Sequence, residues 1–355
     1  MTGAPGLYER FYLWVMRTYR RYCEKKVYRH YKSLMTQRGP LKKLTSAQKE
    51  EVRKLWAPKG RFNYDTHELV YWASGKFDPK VVPELYIRLD MEMALNNQMG
   101  KTAWSDKALF DMVLPDMPLP RTILRNMDGV VYDENMESVS FEEAGAILEK
   151  EGQGEYFYKP SMDSGEGKGI HKVSDFSADY IKSLGSNWVI QEILKIHPSL
   201  RQLNETAVPI MRLITFYIEG KVYMTSASMR IGIKGAITDY TKNNTGDGSI
   251  IVGITNDGKL KDVGYNPNGK QCTETADGFV FGGLEIPNYK KAVELVKTGH
   301  KRLPHYRFLG WDVTIDEAGE PVIIEYNING PGVLYYQYAN GSLFGDYFDV
   351  VYNSL

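Results

Sequence analysis

Residues 308–332 read "FLGWDVTIDEAGEPVIIEYNINGPG". Two runs rich in β-branched and aromatic residues lie on either side of Gly319, and this pattern predicts a β-hairpin. If Ala318 and Gly319 form the turn, Asp312 lies directly opposite Glu325. Two carboxylates in that position repel each other and destabilise a sheet, unless a cation lies between them. The stretch therefore predicts either a cation site or a solvated outer face.

The hairpin also supplies a third oxygen ligand. Asn327 follows Glu325 on the same face, because side chains alternate along a strand. Oxygen atoms of Asp, Glu and Asn suit Mg²⁺, whose coordination is usually completed by water and substrate phosphates. We therefore expect Mg²⁺ at Asp312, Glu325 and Asn327. The opposite face is expected to face the core, and it carries Trp311, Val313, Ile315, Val322 and Ile324.

A second informative stretch, residues 158–170, reads "YKPSMDSGEGKGI". It lacks the GxxxxGK[ST] spacing, and the following "IHKV" resembles a strand rather than a phosphate-capping helix. The glycines are therefore expected to join two strands as a flap whose backbone N–H groups can lie over phosphates. Lys159, on the strand before the flap, would add a positive charge. The alternative is a surface hairpin in which glycine only permits a positive φ.

The composition is typical of a soluble globular protein. The chain has 355 residues, 43% hydrophobic and 25% charged, with a formal net charge of zero. Cys23 and Cys272 provide neither a metal-binding spacing nor a disulfide framework. No apolar stretch approaches the roughly 20 residues of a membrane span, and charges interrupt the N-terminus where a secretory signal would be apolar. A cytoplasmic location is the expectation.

The N-terminal segment is basic. Residues 7–35 contain neither glycine nor proline, and their apolar residues recur at helical spacing, which predicts one long amphipathic helix. Residues 1–60 hold 15 Lys and Arg against 4 Asp and Glu. The helix is expected to dock on the protein's own acidic body or on a second subunit in a homodimer, or else to lie on the inner face of an anionic membrane. A nucleic-acid partner is disfavoured, because no recognisable nucleic-acid-binding module accompanies these residues.

Farther along the chain, helical patterns give way to strands. Strand patterns predominate from residue 155 onward, in segments such as "EYFYKP", "NWVIQEILK" and "PIMRLITFYIEGKVYMTSASMRIG". This order of helices and mostly antiparallel strands predicts an α+β fold.

An ordered set of motifs resembles the ATP-grasp superfamily, and more narrowly its sugar-transfer-associated family, found with polysaccharide biosynthesis genes. The motifs are "SDKALF", "YKPSMDSGEGKGI", "WVIQEILKIHPSL", "MRLITF", "SMRIG", "IPNYKKAVEL" and "LGWDVTID…PVIIEYNINGPG". The resemblance implies two α+β subdomains that grip ATP, after a helical N-terminal region. The implied divisions are a helical, basic region over 1–100, the first part of the ATP-grasp fold over 101–195, and the subdomain with the metal site over 196–355.

The resemblance also implies a nucleotide site. Lys107 and Lys159 would bind ATP phosphates, and Lys168 would contact either phosphate or solvent. The flap over the phosphates would comprise Ser164, Gly165, Gly167, Lys168 and Gly169. The hinge around adenine would comprise Gln191, Glu192 and Leu194. Many ATP-grasp enzymes place an acidic ribose ligand shortly after the hinge, but this chain has "KIHPSL" there, so His197 or Ser199 would substitute. The alternative for His197 is a purely structural role.

Two arginines are the implied catalytic residues. Arg230 would reach the transferring phosphate and the reacting oxyanion. Arg212, in an otherwise apolar strand, would do the same or would form a structural ion pair, since a buried arginine needs an anionic partner. The loop "TDYTKNNTGDGS" would cover the acceptor, and its expected contacts are Asp239, Lys242, Asn243 and Asn244.

The implied activity is that of an ADP-forming ligase that uses ATP and Mg²⁺. A carboxylate would be converted to an acyl phosphate, which an amine would attack to form an amide. The substrates would be small molecules or glycans, in the modification of cell-surface polysaccharides or their precursors. Two alternatives stay open at this point. One is a kinase for a sugar or polyol hydroxyl, with Asp239 as general base. The other is an ATP-binding scaffold without chemistry.

Overall fold

The computed structural model describes residues 6–36, 42–162, 167–237 and 249–355, and contains two antiparallel sheets surrounded by helices. The α-helices are α1 (Leu7–Thr36), α2 (Ser46–Trp56), α3 (Asp65–Ser74), α4 (Glu84–Tyr86), α5 (Glu92–Leu95), α6 (Lys101–Trp104), α7 (Phe110–Val113), α8 (Phe141–Glu151), α9 (Ala178–Ser183), α10 (Pro198–Arg201), α11 (Tyr289–His300), α12 (Val333–Asn340) and α13 (Phe348–Asn353). A π turn (Ile87–Met91) joins α4 to α5, and 3₁₀ turns span Lys107–Leu109 and Gly345–Tyr347.

The strands divide into a smaller and a larger sheet, which both lie after the N-terminal helices. They are β1 (Thr122–Met127), β2 (Val130–Asp133), β3 (Ser138–Val139), β4 (Tyr156–Pro160), β5 (His171–Val173), β6 (Trp188–Gln191), β7 (Ile210–Ile218), β8 (Lys221–Ile231), β9 (Ile250–Ile254), β10 (Leu260–Tyr265), β11 (Gln271–Cys272), β12 (Phe308–Ile315) and β13 (Pro321–Asn327).

The N-terminal helices pack against the C-terminal helices. α2 begins with a capping box, in which Thr45 accepts from the Gln48 amide and the Gln48 side chain accepts from the Thr45 amide. Trp56 at the end of α2 is fully buried, and its ring lies 5.6 Å from Tyr86 and 6.3 Å from Phe348. The predicted helical N-terminal region is therefore present and shares a core with α13.

The smaller sheet has the strand order β3-β2-β1-β6-β4-β5. Helices α8 and α9 cover it, with the fully buried Trp188 at the centre of their shared core. β4 pairs antiparallel with β5, so the glycine-rich segment joins two strands, as the sequence predicted. Gly169 has a φ of +77°, and a Cβ there would lie 2.9 Å from the Pro160 ring, so only glycine fits.

The larger sheet has the order β11-β10-β9-β8-β7-β12-β13, and α11 packs on its core face. The hairpin β12–β13 has Asp312 opposite Glu325, as predicted, and Gly319 in the turn with a φ of +86°. A β-bulge follows, because Val313 pairs with Ile323 instead of Ile324.

The bulge corrects one prediction about the core face. Ile323 packs in the main core with Trp311, Val313 and Ile315, whereas Ile324 is half-buried and lines a cavity. Val322 is buried but lies outside that core cluster. One extra residue in β13 reverses the alternation beyond it, and this is the usual effect of a bulge.

Residues 192–195 connect the two sheets. β6 ends at Gln191, and Ile196 then forms an isolated bridge with Asp316 at the turn of β12–β13. The smaller sheet is built from residues 122–191 and the larger one from 210–327, and a cavity lies between them. This arrangement is the α+β class that the sequence predicted. Over the described part of the chain, no helix has the length and apolar character needed to span a bilayer.

Candidate active site

The cavity between the sheets has a volume of about 590 Å³, within the range of small-molecule sites. It brings together ten of the residues that the sequence singled out, from positions more than 200 residues apart. These are Lys107, Lys159, Gly167, Glu192, Leu194, Arg212, Arg230, Asp312, Glu325 and Asn327.

Asp312 lies between two arginines on the floor of the cavity. Arg212 Nε donates to Asp312 Oδ1 at 2.5 Å and Nη2 donates to Oδ2 at 3.1 Å, while Arg230 Nη2 donates to Oδ2 at 2.9 Å. Burial opposes ionisation of Asp312, but both arginines outweigh it and lower the pKa of this carboxyl. Arg212 therefore forms the structural ion pair that was one of its two predicted roles, and it also lines the cavity.

The strand register explains this cluster. Asp312 on β12 pairs directly with Arg212 on β7, and Arg212 pairs with Ser228 on β8. Arg230 is two residues beyond Ser228, so its side chain lies on the same face. Three neighbouring strands thus present one carboxylate and two guanidinium groups to the cavity.

The two lysines approach Glu325 from the smaller-sheet side. Lys107 Nζ lies 3.5 Å from Glu325 Oε2, and Lys159 Nζ donates to Gln191 Oε1 at 2.8 Å. Burial lowers the pKa of Lys159 to about 8; Glu325 partly opposes this shift, and Lys107 adds to it. Asp106 caps the 3₁₀ turn that begins with Lys107, accepting from the Ala108 amide at 2.9 Å. Two positive charges are therefore fixed opposite the acidic hairpin.

The predicted metal ligands form a set of two carboxylates and one amide. Glu325 and Asn327 line the cavity with half-buried side chains. Oδ2 of Asp312 accepts from both arginines, whereas Oδ1 accepts only from Arg212 Nε and keeps a second lone pair for a metal. Mg²⁺ commonly binds one or two carboxylates together with substrate phosphates, so this donor set fits it. Within residues 6–36, 42–162, 167–237 and 249–355, no group of three or more His, Cys, Asp or Glu forms a metal site.

An apolar surface in the cavity was not predicted. Phe157, Ile170 and Ile324 lie there beside Leu194. Phe157 precedes Lys159 by two residues on β4, so strict alternation would have identified it. Ile324 faces the cavity only because of the bulge, which the sequence pattern does not reveal.

Some predicted residues lie outside the cavity lining. Gln191 is buried and bonded to Lys159 and to the Thr122 hydroxyl. Lys168 and Gly169 are exposed. These positions leave the predicted contacts with nucleotide untested.

His197 also lies outside the cavity lining. Its Nδ1 accepts from the Ser199 hydroxyl at 2.8 Å and from the Ser199 amide at 3.2 Å, and it thereby caps α10. The geometry accounts for His197 as a cap, and its role as a ribose ligand stays a prediction.

Six predicted residues lie outside the described part of the chain. They are Ser164 and Gly165 of the flap, and Asp239, Lys242, Asn243 and Asn244 of the expected acceptor loop.

One part of the cavity lining is formed by the segment after β13. Residues 329–332 line it together with Tyr335 and Tyr336 of α12. Arg88, from the π turn of the N-terminal region, also lines the cavity. No sequence signal linked Arg88 to this site, since more than 200 residues separate it from the hairpin.

Comparison with protein families gives one match. The family described as sugar-transfer associated ATP-grasp matches residues 147–347, which is more than half of the chain. The match includes β4, the hinge segment and the hairpin β12–β13. No curated protein matches the sequence.

Several solved structures are similar to this chain. An L-amino acid ligase from Bacillus licheniformis is 14% identical, with a TM-score of 0.38, over 70% of this chain and 47% of that one. The VanG D-Ala:D-Ser ligase from Enterococcus faecalis is 16% identical, with a TM-score of 0.42, over 71% and 62%. D-alanyl-alanine synthetase A from Vibrio cholerae is 15% identical, with a TM-score of 0.36, over 70% and 62%. The chain thus spans about half of the first structure's length and about three fifths of the other two.

Proposed function

The chain belongs to the sugar-transfer associated ATP-grasp family, and from this premise we propose that it is an ATP-dependent ligase that joins a carboxylate to an amine. The observation that supports this proposal best is the convergence of Lys107, Lys159, Arg212, Arg230 and the acidic hairpin on one cavity. Such a cluster suits a reaction in which phosphate and carboxylate charges must be brought together. The family and fold that the motifs predicted are confirmed by the match; the reaction is the proposal.

ATP would lie between the two sheets. Phe157, Ile170, Leu194 and Ile324 would contact adenine, which needs an apolar surface. Lys107 and Lys159 would bind the phosphates, while Gly167 and the rest of the flap would cover them. Glu325 and Asn327, with Asp312, would bind Mg²⁺, and this ion would neutralise phosphate charge during transfer.

The chemistry would need no nucleophilic side chain. An oxygen of the substrate carboxylate attacks the γ-phosphorus, the bond to the ADP oxygen breaks, and an acyl phosphate forms. The amine nitrogen then attacks the acyl carbon, inorganic phosphate leaves, and the nitrogen loses a proton to give the amide. Arg230 and Arg212 would orient the transferring phosphoryl group and balance the charge on the oxyanion, so catalysis rests on positioning and electrostatics.

The sugar-transfer association of the family suggests a glycan substrate. Amidation of a uronic acid, or attachment of an amino acid to a glycan precursor, would fit a carboxylate–amine ligase. The products would belong to the cell surface or its polysaccharides.

The N-terminal helix supports contact with a membrane surface. On its first half, Trp14 is 63% exposed and Phe11 is 62% exposed. The exposed large apolar residues over residues 7–25 include Leu7, Tyr8, Phe11, Trp14, Val15 and Tyr22, and exposed basic residues alternate with them at Arg10, Arg17, Arg21 and Lys25. An anionic bilayer matches both the aromatic rings and the charges.

Sedimentation with liposomes tests the membrane contact. The full chain should sediment with vesicles that contain anionic lipid and should stay in solution with neutral vesicles, because the charges contribute much of the affinity. Phe11→Asp/Trp14→Asp should abolish sedimentation. If the full chain is instead dimeric by light scattering and the double variant is monomeric, with neither binding vesicles, the helix contacts a second subunit.

Hydroxylamine trapping tests the ligase proposal. The protein is incubated with MgATP, a panel of carboxylates and hydroxylamine, and a hydroxamate formed together with ADP is the expected result. A stable phosphorylated product without hydroxamate would instead identify a kinase. ATP binding without acceptor-dependent ADP over the whole panel would indicate a scaffold.

A further inference from the structure

We propose that Arg88 forms a second anion-binding subsite, and that the carboxylate substrate therefore carries a second anionic group, either a carboxylate or a phosphate. The inference rests on the proposed ligase function and deepens it by assigning a substrate class. Arg88 lies outside the region matched by the family, on the N-terminal helical segment.

The segment after β13 lies beside both Arg88 and Arg212. Arg212 Nη1 donates to the Pro331 carbonyl, while the carboxylate of Glu92 accepts from the Gly330 amide at 3.0 Å. A Cβ on Gly330 would lie 3.8 Å from Arg88 Nη1. Two guanidinium groups therefore lie next to consecutive residues of one short segment, and both line the same cavity.

The guanidinium of Arg88 has a defined orientation. Glu84, one helical turn earlier, accepts from Arg88 Nε at 2.6 Å, and the Glu84 amide is itself bonded to the Thr66 hydroxyl. Because Glu84 binds the Nε side, the Nη1 side is directed towards Gly330. A guanidinium that is oriented in this way matches the geometry of a carboxylate or phosphate.

The backbone that carries Arg88 is unusual and firmly packed. Arg88 lies in the π turn, whose neighbouring residues Ile87, Leu89 and Met91 are each 1% exposed. π turns within α-helices are rare and are frequent at functional sites. The side chain of Arg88 nevertheless lines the cavity with 36% of its surface exposed, and so it is accessible to a ligand.

A substrate with a single carboxylate would not contact both Arg88 and the two arginines at Asp312. The reacting carboxylate belongs beside Arg212 and Arg230, which lie at Asp312. Lys101 Nζ lies 3.3 Å from Asn329 Oδ1, so a further cation contacts the segment after β13. Positive charge at two separated places favours a substrate with two anionic groups over one with a single group.

Matched acids test this subsite. Succinate, glutarate and 3-phosphonopropionate are compared with butyrate, in the hydroxylamine assay and by calorimetry on the protein with MgADP. The intact protein should prefer the dianions by about tenfold or more, as charge-assisted hydrogen bonds predict. Arg88→Gln should remove the preference by raising KM for the dianion, with KM for ATP unchanged, and Arg88→Lys should retain part of it.

Arg53→Gln is the matched control, because Arg53 forms a similar pair with Glu50 on the exposed face of α2. An unchanged dianion preference in folded Arg88→Gln would overturn the subsite, as would a wild-type preference for butyrate. If no acid gives a hydroxamate, the ligase proposal fails, and calorimetry alone decides the subsite. The subsite is supported if dianion binding is lost in Arg88→Gln and kept in Arg53→Gln. It is rejected if the wild type and both variants bind the dianions equally, or if none of them binds detectably.

Discussion

The two faces of the β12–β13 hairpin are stabilised in opposite ways. Trp311 and Asp312 are consecutive residues, exposed by 0% and 3%. Trp311 packs into the main core and donates to the Thr215 hydroxyl at 2.8 Å. Asp312 points the other way and depends on two guanidinium groups.

The difference separates stability from function. Burial of an aromatic ring is favourable in itself. Burial of a carboxylate is unfavourable, and the ion pairs offset the cost of desolvation rather than add to the stability. We therefore expect substitutions on the core face to change unfolding, and substitutions on the cavity face to change turnover. Asp312 should be the exception that affects both.

The largest effect is expected for Asp312→Asn. Loss of the carboxylate leaves Arg212 and Arg230 without their buried counter-charge, which should cost about 3–5 kcal/mol in the free energy of unfolding. Turnover should also be lost. Urea denaturation measures the first effect, and ADP release measures the second.

A double variant sharpens this result. Arg212→Met/Asp312→Leu removes one pair of opposite charges together, so it should be more stable than Asp312→Asn but equally inactive. If Asp312→Asn is as stable as the wild type, the ion-pair account of this face is wrong.

Trp311→Ala should be nearly as destabilising, through the core face. A large cavity and the lost hydrogen bond to the Thr215 hydroxyl should together cost about 3–5 kcal/mol, measured by urea denaturation. Trp311→Phe, which keeps most of the ring volume, should cost clearly less. Equal losses for the two variants would show that packing is not the main contribution.

Glu325→Gln should lower turnover with little effect on stability, whereas Trp311→Ala lowers stability. The amide is similar in shape but lacks the charge for Mg²⁺, so Mg-dependent turnover should fall by about 10²–10³-fold, while the midpoint of urea denaturation changes little. Glu320→Gln, on the same hairpin but paired at the surface with Lys291, is the control and should leave turnover unchanged. Near-normal activity of Glu325→Gln would rule out the metal assignment.

The smallest effect concerns the pH dependence of nucleotide binding. The pKa of Lys159 is about 8, so above that pH its amine is largely neutral in the free protein. Phosphates favour the charged form and raise this pKa, so ATP binding at pH 8.5 should take up a proton and should weaken as pH rises further. Calorimetry in two buffers with different ionisation enthalpies measures the uptake.

Lys159→Met should abolish that proton uptake and weaken ATP binding by about 10–100-fold. Lys172→Met, at an exposed lysine of β5 paired with Glu155, should behave like the wild type. The same proton uptake in both variants would show that another group titrates.

The local sequence pattern was sufficient to predict the conformation wherever that conformation depends on residues that are close in sequence. The period of two in residues 308–327 predicted that Asp312 lies opposite Glu325, and the strands around the glycines predicted the β4–β5 flap. The helix over residues 7–35 was predictable for the same reason, and in the structure it ends at Thr36. In each case short-range hydrogen bonding and side-chain alternation decide the conformation.

Tertiary structure decided which residues from distant segments of the chain come into contact. The β-bulge that directs Ile324 into the cavity depends on the pairing of β13 with β12. The ion pairs of Asp312 with Arg212 and Arg230 depend on the register of β7 and β8. Arg88 reaches the cavity because the N-terminal helices pack on the C-terminal ones, a contact without any local signature. The amino-acid sequence by itself determined the strands and their polar faces. Only packing between elements determined which charges meet, because electrostatic partners are set by distance in space and not along the chain.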